Sequence, residues 1–168
     1  MTNDDQEKSE LARQYDLLAK KFKELYLSGK ERGRESMNQA LEKAHAQMAA
    51  LGDISAERGQ LLKDYLSRDL EQTIAFAHQF GEEAKERLNP SRLGDGAMAS
   101  IAGVLEATGN ALRSLSDKAR EVVTYKTGEI TSVGTLTCRG CGQALHLKKT
   151  GHVPPCPKCS GTVFTKGY

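Results

Sequence analysis

Apolar residues recur along the first half of the chain at alternating steps of three and four. Leu11, Tyr15, Leu18, Phe22 and Leu25 form one such seam, the spacing that lines up side chains on one face of an amphipathic helix. Ser28-Gly29-Lys30-Glu31-Arg32-Gly33-Arg34 then interrupts it with polar residues and two glycines. The seam resumes out of phase as Met37, Leu41, Ala44, Met48 and Leu51, so the first helix is kinked or broken near Gly29–Gly33. Gly52 is placed to end it as a C-cap, and Ser55 to cap the next start.

A second helix is expected from Ser55 to Leu88. Leu62, Leu66, Leu70, Thr73, Ala77, Phe80, Ala84 and Leu88 mark its buried stripe, widened by Tyr65, Ile74 and Phe76. Asn89-Pro90-Ser91-Arg92-Leu93-Gly94-Asp95-Gly96 breaks the pattern. The third helix has the most regular seam: Met98, Ile101, Leu105, Thr108, Leu112, Leu115, Ala119 and Val122. Its small residues, among them Ala99, Ala102 and Gly103, permit close approach of a neighbour. Short connections between long helices make antiparallel neighbours. The expectation for residues 1–124 is therefore an elongated antiparallel helical bundle or coiled-coil hairpin, with narrow stripes suited to self-association.

From Tyr125 the period changes. Tyr125-Lys126-Thr127-Gly128-Glu129 reads as a hinge, and Thr135-Leu136-Thr137, Ala144-Leu145-His146-Leu147-Lys148 and Thr162-Val163-Phe164-Thr165 read as short strands. Between them lie all four cysteines, as Cys138-Arg139-Gly140-Cys141-Gly142 and Cys156-Pro157-Lys158-Cys159. Two intervening residues let the chain turn and aim both sulfurs of a pair at one point. Gly140 and Gly142 tolerate positive φ there, and Pro157 presets φ in the second turn. Two such pairs close a tetrahedron around one structural ion, with Cys138, Cys141, Cys156 and Cys159 as the ligands. The mainly α chain thus ends in a small β zinc ribbon, residues 125–168.

Energetics favour a bound metal. Leu136, Leu145, Leu147, Val153, Val163 and Phe164 are the only obvious core of this segment, too little to fold alone. Structural zinc supplies an apparent ~10–16 kcal/mol to small modules. Two disulfides, the main alternative, need an oxidising compartment, and no secretory signal precedes the helices. A cytoplasmic location follows as the expectation. Iron in a rubredoxin-like redox module uses the same thiolates. The ribbon has no tryptophan and few aromatics to pack beside such a site, so one structural Zn²⁺ is favoured.

Charge adds one feature. Residues 130–168 contain no Asp or Glu, while Arg139, Lys148, Lys149, Lys158 and Lys166 are basic. These are five of the 24 Lys and Arg residues, leaving 19 against 22 acidic residues upstream, a net of about −3. Zinc with four thiolates carries −2, so the loaded ribbon keeps about +3. That permits contact with nucleic acid without demanding it. The negative helical part and the lack of a long apolar run argue against a membrane role.

The catalytic readings do not hold together. Glu42-Lys43-Ala44-His45 matches the Glu-x-x-His unit of di-iron carboxylate bundles, but His78 has Ala75 three residues before it, so the second unit is missing. His146 and His152 lie inside the ribbon, yet four thiolates already complete the shell. No open position is left on the metal for hydrolysis, and no nucleophile or phosphate-binding loop stands out.

In the last third, Gly128-Glu129-Ile130, Gly134-Thr135-Leu136-Thr137-Cys138, Cys141 and Pro155-Cys156-Pro157-Lys158-Cys159 resemble an uncharacterised proteobacterial family of zinc-ribbon-containing proteins, the YbeL-like family. The resemblance covers roughly residues 125–165 and extends upstream only as a shared layout, a long helical region before the ribbon. It implies that Cys138, Cys141, Cys156 and Cys159 are the metal ligands and brings no activity with it. Ser160 stands where the family more often has glycine. The expected function is a non-enzymatic zinc-binding adaptor: helices for homo-oligomer or protein association, and a ribbon for recognition. Nucleic-acid binding through the basic ribbon is the first alternative, the iron redox module the second.

Overall fold

The computed structural model describes residues 3–109 and 123–168. Among the described residues five α-helices come first: α1 (Asn3–Ser28), α2 (Arg34–Ala50), α3 (Ala56–Phe80), α4 (Glu82–Arg87) and α5 (Ala97–Thr108). Six short strands follow: β1 (Tyr125–Lys126), β2 (Ile130–Thr131), β3 (Gly134–Cys138), β4 (Ala144–Leu147), β5 (Gly151–His152) and β6 (Val163–Gly167). The chain is mainly α with a small C-terminal sheet region that bears the four cysteines.

The break expected near Gly29–Gly33 separates α1 from α2. Arg32 closes the end of α1 by donating to the carbonyls of Tyr26 at 3.2 Å and Gly29 at 2.7 Å. Such bonds satisfy acceptors that a helix C-terminus leaves free. Ser55 accepts the Arg58 N–H and caps α3 as the sequence predicts. At the end of α2 the C-cap is Leu51, with Gly52 following at φ 76°.

Two expectations about the helices need correcting. The run Ser55–Leu88 is not one helix, because Gly81 at φ 52° ends α3 and starts the short α4. A side chain is strained in that left-handed region, and glycine is not. Leu51 and Phe80, assigned to buried seams, are 74 % and 42 % exposed. Of the expected third helix, Leu112, Leu115, Ala119 and Val122 lie outside the described residues.

The helices share one core, with Tyr15, Leu18, Phe22, Leu62, Leu66, Met98, Ile101 and Val104 almost wholly buried. α1 lies mainly against α5 and α2. Asp16 on α1 provides the start of α5 with a cap from outside its own helix: its Oδ1 accepts the Ala97 N–H at 2.7 Å and the Thr150 hydroxyl at 2.6 Å.

The ribbon contains a four-stranded antiparallel sheet in the order β1-β6-β3-β4 and a two-stranded one, β2-β5. Tyr125–Lys126, expected as a hinge, is instead strand β1, paired with Phe164 and Val163. Tyr125, Leu136, Val153, Phe164, Cys138 and Cys156 make a small second core. Ile130 belongs to the helical core instead, with Val133 and Tyr168 packed against it.

Candidate metal centre

Both Cys-x-x-Cys segments fold into the same local turn. Gly142 donates its N–H to the Cys138 carbonyl at 2.9 Å, and Ser160 donates to the Cys156 carbonyl at 2.8 Å. The first cysteine of each pair donates five residues ahead, Cys138 to the Gln143 carbonyl and Cys156 to that of Gly161, each at 2.9 Å. The two turns need left-handed backbone at matching places: Gly142 has φ 73°, and Ser160 has φ 56°. Gly140, expected to share that role, is not among the positive-φ glycines.

The turns bring the four sulfurs to one place. All four Sγ atoms lie within 4.8 Å of one another, with Cys138–Cys159 and Cys141–Cys156 both at 3.6 Å. A tetrahedron with metal–sulfur bonds of ~2.3 Å has edges of about 3.8 Å. The donor set and its spacing therefore fit one structural zinc ion. Cys138 and Cys156 are buried, Cys141 is half-buried and Cys159 is exposed. Gly161 borders the cluster closely: a Cβ there would fall 3.1 Å from the sulfurs of both Cys138 and Cys159.

Electrostatics set the thiols apart. Burial works against the Cys156 thiolate, but the N–H groups of Cys159 and Lys158 and the neighbouring thiols draw its pKa down to about 7. At Cys159 the Gly161 N–H favours the thiolate, yet hydrogen bonds with the Cys141 and Cys138 thiols prevail and its pKa is pushed up to about 12. A bound cation would deprotonate all four.

Neither ribbon histidine joins the cluster. His146 is exposed on β4, its Nδ1 3.0 Å from the Thr135 hydroxyl. The Nδ1 of His152 lies 2.7 Å from the Gly128 carbonyl oxygen. In the Glu-x-x-His stretch, Glu42 pairs with Lys63 at 2.6 Å while His45 packs against Gly59. Among the described residues, only the four cysteines form a group that could hold a metal.

One basic residue of the ribbon is not where its type suggests. Arg139, Lys148, Lys149 and Lys158 are exposed, but Lys166 is buried. Its ammonium donates to the Thr131 and Ser132 hydroxyls at 2.8 Å each and lies 3.4 Å from Asp69 Oδ2. Lys166 therefore leaves the basic surface.

Asp69, which belongs to no motif, is the acceptor at the centre of this site. It accepts from the Tyr15 hydroxyl at 2.7 Å, the Ser132 N–H at 2.9 Å and the Thr131 and Ser132 hydroxyls. Burial opposes its charge, but Lys166, the Ser132 N–H and the Tyr15 hydroxyl outweigh it and hold the carboxyl below its ordinary value. Burial pushes Lys166 down to about 8, against the pull of Asp69. Beside them, Arg68 pairs with Glu129, donates to the Ile130 carbonyl at 3.0 Å and stacks 4.1 Å from the Tyr125 ring centre. A signal was present: Asp69 falls on the stripe marked by Leu62, Leu66, Leu70 and Thr73, where a carboxylate needs a partner.

A family model described as "Zinc-ribbon containing domain" matches residues 26–167, so the chain belongs to that family. No curated protein and no solved structure matches it.

Proposed function

Taking membership of the zinc-ribbon containing family as the premise, we propose that the chain is a non-enzymatic adaptor. Its helices associate with a second copy or a protein partner, and its zinc-stabilised ribbon presents a recognition surface. The observation that carries this reading is the sulfur tetrahedron. Four thiolates on one zinc leave no position for water or substrate, so the metal organises a surface and performs no chemistry. Apolar side chains left on the helices support association, with Leu51 at 74 % and Leu61 and Phe80 at 42 % exposure. Among the described residues no helix is long and apolar enough to cross a membrane, and a reducing cytoplasm suits four free thiols.

Light scattering across a range of concentrations tests the association. The expected result is a mass above the 18.3 kDa of one chain, falling towards it when Leu51 and Leu61 are replaced by Gln. A monomer at every concentration, with no protein co-isolating in repeated affinity purification, refutes the adaptor.

A second reading is nucleic-acid binding. Arg139, Lys148, Lys149 and Lys158 are exposed on a segment without a single acidic residue. Such binding weakens steeply as salt rises, and charge reversal at Lys148 and Lys149 should abolish it. Binding that survives the reversal does not come from this face.

A further inference from the structure

The metal centre and the buried Asp69–Lys166 pair lie at the two ends of one strand. β6 starts two residues after Gly161, which closes the second cysteine turn. Its Val163 carbonyl accepts the Arg139 N–H of the first turn at 3.0 Å, and Phe164 is in register with Cys138. Two residues further on, Lys166 sends its ammonium into the Asp69 site on α3. The same end of the strand is held to the helices by three more bonds. Gln72 donates to the Lys166 carbonyl at 2.7 Å, Arg87 donates to the Tyr168 main-chain oxygen at 2.7 Å, and the hydroxyls of Thr73 and Tyr168 meet at 2.8 Å.

The ribbon's own core is a handful of side chains, two of them cysteines. Without its metal a module this small has little to keep its strands paired. Once β6 leaves β3, the bonds from Gln72, Arg87 and Thr73 must hold its end against the helices alone, and a Lys166 drawn away from Asp69 leaves a buried carboxylate without its cation.

We infer that zinc occupancy of the cysteine tetrad is coupled through β6 to the docking of the ribbon on α3, so that losing the metal uncovers the Asp69 face of the helices. The ribbon is then a metal-gated cover. This inference requires the zinc site and does not depend on the adaptor reading. Coupling of this kind is reciprocal, so disturbing the Asp69 end must weaken zinc binding at the other.

Two measurements on the full chain test it. In the wild type, hydrogen exchange at the Ser132 amide reports docking directly, because that N–H is bonded to Asp69. Stripping zinc with a chelator under reducing conditions should speed its exchange at least a hundredfold. In Asp69→Asn and Lys166→Met, zinc affinity measured by competition with a chromophoric chelator should fall at least tenfold. A Ser132 amide that stays protected in the chelated protein overturns the inference, as do zinc affinities within threefold of wild type in both variants. Should either variant lose its helical spectrum, the wild-type exchange result decides alone.

Discussion

Lys166 and Asp69, 97 residues apart, meet at 3.4 Å with neither side chain exposed to solvent. A buried pair of this kind contributes little net stability compared with apolar residues of the same shape. Removing one partner alone is costly, by about 3–5 kcal/mol. The hydroxyls of Tyr15, Thr131 and Ser132 complete the site, so every nearby polar group depends on the others keeping their places.

That relationship sets a pH dependence. The Asp69 carboxyl is held below its ordinary value. Its contribution is complete above the unfolded carboxylate value of about 3.9 and is lost as pH falls through the lower folded value. Lys166 titrates near 8 when folded against 10.5 when free. Between those values the unfolded chain keeps a proton that the folded chain has released, so stability rises with pH across that window. Urea denaturation should show the advantage of wild type over Asp69→Asn shrinking on the acid side. The difference between wild type and Lys166→Met should climb from about pH 8 to 10.5. Differences that stay flat through both windows contradict these assignments.

Metal removal should unfold the ribbon. Elemental analysis of native protein is expected to find one zinc per chain, and of Cys156→Ser none. Structural zinc is worth an apparent ~10–16 kcal/mol in modules of this size. Amide signals of residues 125–168 should therefore lose dispersion on chelation. Dispersion retained in metal-free protein shows a ribbon that folds without the ion.

Two glycines beside the tetrad should respond differently to alanine. A Cβ at Gly161 would fall 3.1 Å from two sulfurs, whereas one at Gly140 would fall 3.7 and 3.8 Å from Cys159 and Cys138. The first is too close, and the second is ordinary contact. Gly161→Ala should weaken zinc binding by about tenfold, roughly 1.4 kcal/mol, while Gly140→Ala leaves it nearly unchanged. Equal affinities for the two variants, measured by chelator competition, show that the crowding is relieved elsewhere.

Ser160 occupies left-handed backbone at φ 56°. A residue with a Cβ is strained there by about 1–2 kcal/mol. Ser160→Gly removes the strain at some cost in unfolded-chain entropy, so a net gain of about 0.5–1 kcal/mol is expected. Thermal unfolding of the zinc-loaded protein checks it, and a lower midpoint for the variant contradicts it.

What could be read in the sequence depended on the range of each signal. The seams through Tyr15, Leu18 and Phe22 and through Leu62, Leu66 and Leu70 repeat over many turns, and they fall in α1 and α3 as expected. The four cysteines were legible because their spacing is itself the geometry of the site. Strands β1, β2 and β5 are two residues each, too short for alternation to register. Gly81 sits in an unbroken apolar stripe, and only its backbone angle marks the end of α3. Lys166 departs furthest from its expected place on the basic surface. Lysine is seldom buried unless paired, and its partner lies on a distant helix where no local pattern points to it.

Asp16 and Asp69 stand on α1 and α3, both ahead of the ribbon in the chain. The groups that engage them from the ribbon, Thr150 and Lys166, follow 134 and 97 residues later. During synthesis each carboxylate therefore has only its helical partner, the Ala97 N–H for Asp16 and the Tyr15 hydroxyl for Asp69, until the ribbon emerges. The helical layer reaches its final form only after the strand that carries Lys166 has emerged, so the order of translation leaves the ribbon to complete a site that the helices have half built.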